Sequence, residues 1–369
     1  MITKAAIRAE AARLMDFFRA AGAVPTEADI LQPAQTLLDL YGEDIRARAY
    51  VTQDPLKGEM MLRPDFTVPV VLAHLESGCD GARYTYAGEV FRQQEEGAGR
   101  ASEYIQVGYE LFSADDPAAA DAEVFALFQQ VLLPLGLRAA TGDIGILMAA
   151  VQGLATSAPR KAALLRHIWR PHRFRALIER YSGRAPVPSA RACLLEEMAA
   201  GRKADDLIAA AGTLIGQRGA DEIRERIAAL VADAAEPPLS EGESALLDEI
   251  LELRETLPMV LERLRDLEVD MPALGPAVAR FAARIEALDA AGVDVDELAF
   301  EGSYGRSTME YYDGFIFGFY APAVPDRAPV ASGGRYDALT RALGKGREHP
   351  AVGGVIRPEL MLEIRKEGA

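Results

Sequence analysis

Residues 83–112 read RYTYAGEVFRQQEEGAGRASEYIQVGYELF, and the fold turns on this stretch. Two strand-like runs flank eleven polar residues, Gln93 to Glu103. Strand side chains alternate with period two, so Ile105, Val107, Tyr109 and Leu111 share one face of the second run. Tyr104, Gln106, Gly108 and Glu110 share the other face, with Arg92 closing the first run beside them. The first face suits a core. The second groups an amide, a carboxylate and a glycine, which suits the floor of a pocket for a small polar ligand. Hairpin loops usually run ~2–5 residues and longer ones tend to be functional, so the connecting stretch also reads as part of a site.

The chain has 369 residues, enough for two or three domains and a large core. Acidic residues outnumber basic ones 56 to 40, a formal charge of −16. Such a surface repels phosphate backbones and anionic lipid, so neither nucleic acid nor membrane is an expected partner. The richest basic stretch, Arg166 to Arg184, interleaves its charges with Trp169, Phe174, Leu177 and Ile178, as an amphipathic helix does. Cys79 and Cys193 stand alone, as expected of a reducing compartment. The N-terminus lacks the apolar core of a secretory signal and no 18-residue apolar run occurs, so a cytoplasmic protein is expected.

Helical spacing marks residues 4–21 and 121–135, and short strands are expected at 50–51 and 60–63, around 138–146, at 298–300 and at 315–320. From about Leu154 to Gly292 the pattern is helical, with Ile223, Ile227 and Leu230 forming one stripe and Val278, Phe281, Ile285 and Leu288 another. Strands bracket a helical middle. The expected architecture is therefore an α+β domain in two parts, 1–153 and 293–369, interrupted by a helical insertion at 154–292.

Phosphate-loop, dinucleotide and nucleophile-elbow motifs are absent, and His167 and His172 are five apart without cysteine partners, so no metal, cofactor or catalytic residue is assigned. Polar residues on strands remain. Asp65 and Thr67 come just after the strand at 60–63, Gln106 and Glu110 share a face, and Tyr311-Tyr312 precede an aromatic strand. Gly333-Gly334-Arg335 reads as opening a helix. Carboxylates with an amide and phenols make a pocket for an ammonium or imidazolium group; a satisfied internal hydrogen-bond network is the structural alternative.

LRPDFT (62–67), YAGEVFR (86–92), Gly99-Arg100 and EYIQVGYELF (103–112) resemble the class II synthetase core of histidyl-tRNA synthetase, the second strand pair being similar to its motif 2. DAEVFAL, EYYDGFIF, SGGRYDAL and AVGGVI follow in the family's order. The resemblance implies an antiparallel sheet flanked by helices. It also implies a histidine-like pocket made by Asp65, Thr67, Arg92, Gln106, Glu110, Tyr311 and Tyr312, with Arg335 a further candidate.

The departures redirect the function. The resemblance places an ATP-clamping arginine at Leu360 and a carboxyl-gripping arginine at Ser307, while Gln94 stands at the acidic partner in motif 2. Loss of one preorganised clamp costs on the order of 10²–10³ in rate, so adenylation is not expected. The residues after Leu360 leave no room for an anticodon-binding domain, and none is expected. A synthetase-like core so altered resembles the regulatory-subunit family of short-form ATP phosphoribosyltransferase, which works in the first step of histidine biosynthesis. That resemblance implies a non-catalytic chain that dimerises, joins the short catalytic subunit as a hetero-octamer with four of each, and helps impose feedback inhibition by L-histidine. The alternatives are a tRNA-independent ligase that activates an amino acid, and a stand-alone histidine sensor.

Overall fold

The computed structural model of the chain describes residues 2–41, 43–94, 101–306, 311–324, 327–347 and 349–367. Helix α1 (Lys4–Ala20) starts at Thr3, whose hydroxyl accepts the Ala6 N–H, and ends before Gly22, which sits at φ 91°. Strands β1 (Val24–Pro25) and β2 (Leu31–Pro33) lead to α2 (Ala34–Tyr41) and the hairpin of β3 (Val51–Asp54) and β4 (Gly58–Leu62). The Asp54 carboxylate closes that turn by accepting the Leu56 and Lys57 N–H groups. Then come α3 (Thr67–Ser77), the long pair β5 (Ala82–Phe91) and β6 (Glu103–Phe112), and α4 (Pro117–Leu132). The remaining strands are β7 (Arg138–Asp143), β8 (Arg254–Thr256), β9 (Ala299–Glu301), β10 (Phe315–Tyr320), β11 (Ala331–Arg335) and β12 (Ala351–Ile356).

Nine of these strands form one sheet in the order β1-β5-β6-β12-β11-β10-β7-β9-β8, and β2-β4-β3 form a small second sheet. The run from β5 to β7 is antiparallel throughout, while β1 joins β5 and β9 joins β7 in parallel. The expected antiparallel sheet is thus correct at its centre and mixed near its edges. In β6 the two faces separate by period two. Tyr109 packs on Phe18 of α1, with ring centres 5.3 Å apart, and donates to Glu123 of α4 at 2.7 Å. Gln106 and Glu110 take the other face, both buried.

The stretch Pro117–Leu135 is apolar and long enough to cross a membrane, but its aromatic residues are core. Phe125 stacks on Phe319 at 5.4 Å and Phe128 meets Phe317 edge-on at 5.4 Å. The expected helix opened by Gly333-Gly334-Arg335 is instead β11, paired on both sides, and the helix Asp337–Leu343 begins after Tyr336.

The chain divides into two compact units, Met1–Leu147 with Leu251–Ala369, and Met148–Ile250. The second unit is helical, but it is shorter than the expected insertion at 154–292. Helices Leu257–Asp270 and Gly275–Ala290, with β8, belong to the first unit. β8 pairs with β9 in the large sheet, and Arg284 anchors the helix Gly275–Ala290, its buried guanidinium donating to Asp121 of α4 at 3.2 Å and to Asp143 of β7 at 2.5 Å. In the second unit, Asp233 accepts from Arg160 at 2.7 Å and Arg191 at 2.6 Å, tying three helices together. The expected helix through Arg166–Arg184 is divided, because Pro171 starts a new helix, Pro171–Tyr181, whose Phe174 and Ile178 are buried.

Candidate functional site

A cavity of about 690 Å³ opens on the polar face of β6, wholly within the first unit. All seven pocket residues proposed from sequence line it: Asp65, Thr67, Arg92, Gln106, Glu110, Tyr311 and Tyr312. Arg335 does not. It lies in the buried ion network, pairing with Asp121 at 2.8 Å and Asp337 at 3.1 Å.

The LRPDFT segment builds one wall, and each residue in it has a separate task. Arg63 donates to the carbonyls of Glu89 at 2.8 Å and Ala28, and lays its guanidinium 4.0 Å over the Phe66 ring. Phe66 in turn stacks on Tyr86 at 4.3 Å. This stack fixes the entry to α3, so that Asp65 and Thr67 reach the cavity. Burial raises the pKa of Asp65, against the opposing pull of Arg92 and of the Val68 and Thr67 N–H groups.

Glu110 is the most constrained member. Its Oε1 accepts from Tyr86 at 2.8 Å and Thr67 at 3.1 Å, and its Oε2 accepts from Tyr336 at 2.6 Å. Burial pushes its pKa up to about 7, despite these three donors. Two glycines make the arrangement possible. A β-carbon at position 108 would come within 2.1 Å of the Tyr86 ring, and one at 353 within 1.6 Å of Glu110 Oε2. Tyr311 donates to Thr67 at 3.3 Å, extending the chain of hydroxyls. Sequence inspection missed Tyr86 and Tyr336, although Tyr86 stands opposite Gly108 in the β5–β6 register.

Gln106 behaves differently. It is only 1% exposed, yet among the described residues neither its amide oxygen nor its nitrogen has a hydrogen-bond partner. Asp65 Oδ1 is likewise without one. A buried amide normally satisfies both ends, since leaving one unmet costs about 1–3 kcal/mol. These atoms are available for a ligand that donates and accepts.

A second cavity of about 780 Å³ shares Arg92 and Arg357 with the first. Leu360 lines it, where the resemblance expected an arginine. The expected loss of positive charge here is nevertheless incomplete, because Arg48, Arg92, Arg327 and Arg357 also line this cavity. Arg327 is engaged by Glu367 at 3.0 Å and Glu363 at 3.8 Å. Ser307, Gly99 and Arg100 lie outside the described residues.

A central antiparallel sheet with a polar cavity on its β6 face and the two strand motifs at its rim defines a histidyl-tRNA synthetase-like, class II synthetase fold. The sequence model of the histidyl-tRNA synthetase family matches residues 3–238 and 224–360. Among solved structures, an ATP phosphoribosyltransferase regulatory subunit/histidyl-tRNA synthetase from Bacillus halodurans is similar, with a TM-score of 0.67 at 20% identity. That match covers 97% of this chain and 79% of the other. Histidyl-tRNA synthetase from Nostoc aligns at TM-score 0.62 and 15% identity, over 98% of this chain and 71% of its own. Proteins called ATP phosphoribosyltransferase regulatory subunit are similar along most of their length. The one from Chelativorans sp. is 33% identical over 97% of each chain, and that from Agrobacterium fabrum 32% over 93% of each. The chain belongs to the ATP phosphoribosyltransferase regulatory subunit family.

Proposed function

We propose that this chain is the non-catalytic regulatory subunit of a short-form ATP phosphoribosyltransferase, acting in the cytoplasm. It dimerises, joins the catalytic subunit in an assembly of four of each, and activates it. Its cavity on β6 takes L-histidine, and occupancy imposes feedback inhibition. No catalytic residue is assigned to it.

The observation that carries the ligand assignment is the buried Gln106 amide, both ends unmet among the described residues, lining a cavity that the Asp65 and Glu110 carboxylates also line. Carboxylates with hydroxyl and amide partners suit an ammonium and an imidazole, each charge-assisted bond being worth about 1.5–3 kcal/mol when water is excluded. The names of the relatives support the partner assignment.

Two measurements test the proposal. Mixing the purified chain with a short catalytic subunit is expected to give a complex whose mass fits four of each; two separate species would overturn the assembly. Pyrophosphate exchange with ATP and histidine is expected to stay at background, and clear exchange would show a ligase instead.

A further inference from the structure

The basic stretch from Arg160 to Arg191 lines neither cavity described above. It carries nine Lys and Arg residues and one acidic residue, Glu179, in a chain whose formal charge is −16. The structure sorts these charges into two groups. Arg160, Arg180 and Arg191 surround Asp233 at 2.7, 3.5 and 2.6 Å, and Arg184 lies 3.5 Å from Asp248. Those four guanidiniums meet their counter-charges inside the second unit.

The other group sits where the helix Ala158–Arg166 ends and the helix Pro171–Tyr181 begins. Phe174, Ile178 and Tyr181 form the buried stripe of the second helix, which leaves His172, Arg173 and Arg175 exposed. Arg166 is exposed at the end of the first helix. Among the described residues, the side chains of Arg166, Arg173 and Arg175 make no ion pair or hydrogen bond. The charges are also close together. Burial, and then the guanidiniums of Arg170, Arg173 and Arg166, hold His167 below its ordinary pKa. Like charges gathered without a counter-charge destabilise the fold slightly, so packing gives no reason for them.

We infer that Arg166, Arg173 and Arg175 form a docking surface for an acidic face of the partner protein. The inference rests on the partner assignment above and names the surface that it uses. A chain of −16 repels an acidic partner on most approaches and attracts it where basic charge is concentrated. One such patch therefore speeds encounter and fixes its orientation. A nucleic acid carries negative charge along its whole length and is repelled by the rest of the surface, whereas a folded protein can confine its acidic residues to the contact.

The test titrates the short catalytic subunit with the full chain by calorimetry at about 0.1 M and about 1 M salt, across which the Debye length falls from ~10 to ~3 Å. The wild type is expected to bind at least about tenfold more weakly at the higher salt. The triple variant Arg166→Glu, Arg173→Glu, Arg175→Glu is expected to lose at least about tenfold in affinity at the lower salt, and most of the salt dependence with it. Arg218→Glu reverses another exposed arginine of the same unit and is expected to stay within about threefold of the wild type. If the triple variant does not fold, Arg173→Glu alone takes its place, with an expected loss of at least about threefold. An affinity that the variant leaves unchanged, or an equal loss in Arg218→Glu, overturns the inference and leaves the partner assignment standing. Retained affinity for the subunit with loss of binding to a duplex RNA probe gives the patch to nucleic acid and overturns it as well. Failure of the wild type to bind the subunit at the lower salt overturns both.

Discussion

Glu110 Oε2 occupies the space where a β-carbon on residue 353 would sit, 1.6 Å away, so the carboxylate on β6 and the glycine on β12 define each other. Substitution Gly353→Ala must therefore expel Glu110 from its three hydroxyl donors or push the strands apart. We expect a loss of about 1–3 kcal/mol in stability by urea denaturation, as for an overpacked core, together with loss of histidine binding. Normal binding in Gly353→Ala would show that the position of Glu110 is irrelevant to the pocket.

The pH dependence follows from the same carboxylate. Glu110 titrates near 7 in the folded chain, against an ordinary 4.5, and burial likewise pushes Asp313 from 3.8 to about 7. Between those limits these two carboxyls hold more protons in the folded chain than in the unfolded one. Their contribution to stability in the absence of ligand is therefore expected to fall as pH rises from about 4 to 7. His74, which burial lowers from 6.5 to about 4, works in the opposite sense over the same window. Glu110→Gln should remove part of this slope and leave the share due to Asp313. A slope that Glu110→Gln leaves untouched, or makes more negative, contradicts the assignment.

Gln106 offers a way to separate binding from folding. Its amide has no hydrogen-bond partner among the described residues, so Gln106→Leu removes a burial penalty and breaks no hydrogen bond among them. Stability is expected to stay level or rise by up to about 1–2 kcal/mol, while histidine affinity drops at least about tenfold. A destabilised variant that still binds histidine would mark the amide as structural.

Arg284 joins the helix Gly275–Ala290 to Asp121 of α4 and Asp143 of β7. Arg284→Met leaves two buried carboxylates beside each other without this cation. The expected cost is about 3–5 kcal/mol, read as a lower denaturation midpoint. A cost below about 1 kcal/mol would show that the helix does not depend on this anchor.

Much of the architecture was legible because period-two alternation in β6 assigns Gln106 and Glu110 to one face without any tertiary information. Asp65, Thr67 and the tyrosine pair stood out as polar groups at strand ends, where side chains leave the core. The partners of Glu110 were hidden, because a hydroxyl 24 residues away across a hairpin and another 226 residues away leave no local signal. The extent of the helical insertion was hidden for a related reason. An amphipathic stripe such as Val278, Phe281 and Leu288 shows that a face is buried but not what covers it. Arg357 escaped notice because motif comparison directs attention to the missing arginine at 360, three residues further on.

The most direct test of the regulatory role adds the chain to a short ATP phosphoribosyltransferase and follows product formation with and without histidine. Addition is expected to raise the rate, and histidine to suppress it; with Gln106→Leu in place of the wild type, activation should persist and the inhibition should weaken. A rate that the chain leaves unchanged, in the presence and in the absence of histidine, contradicts the account.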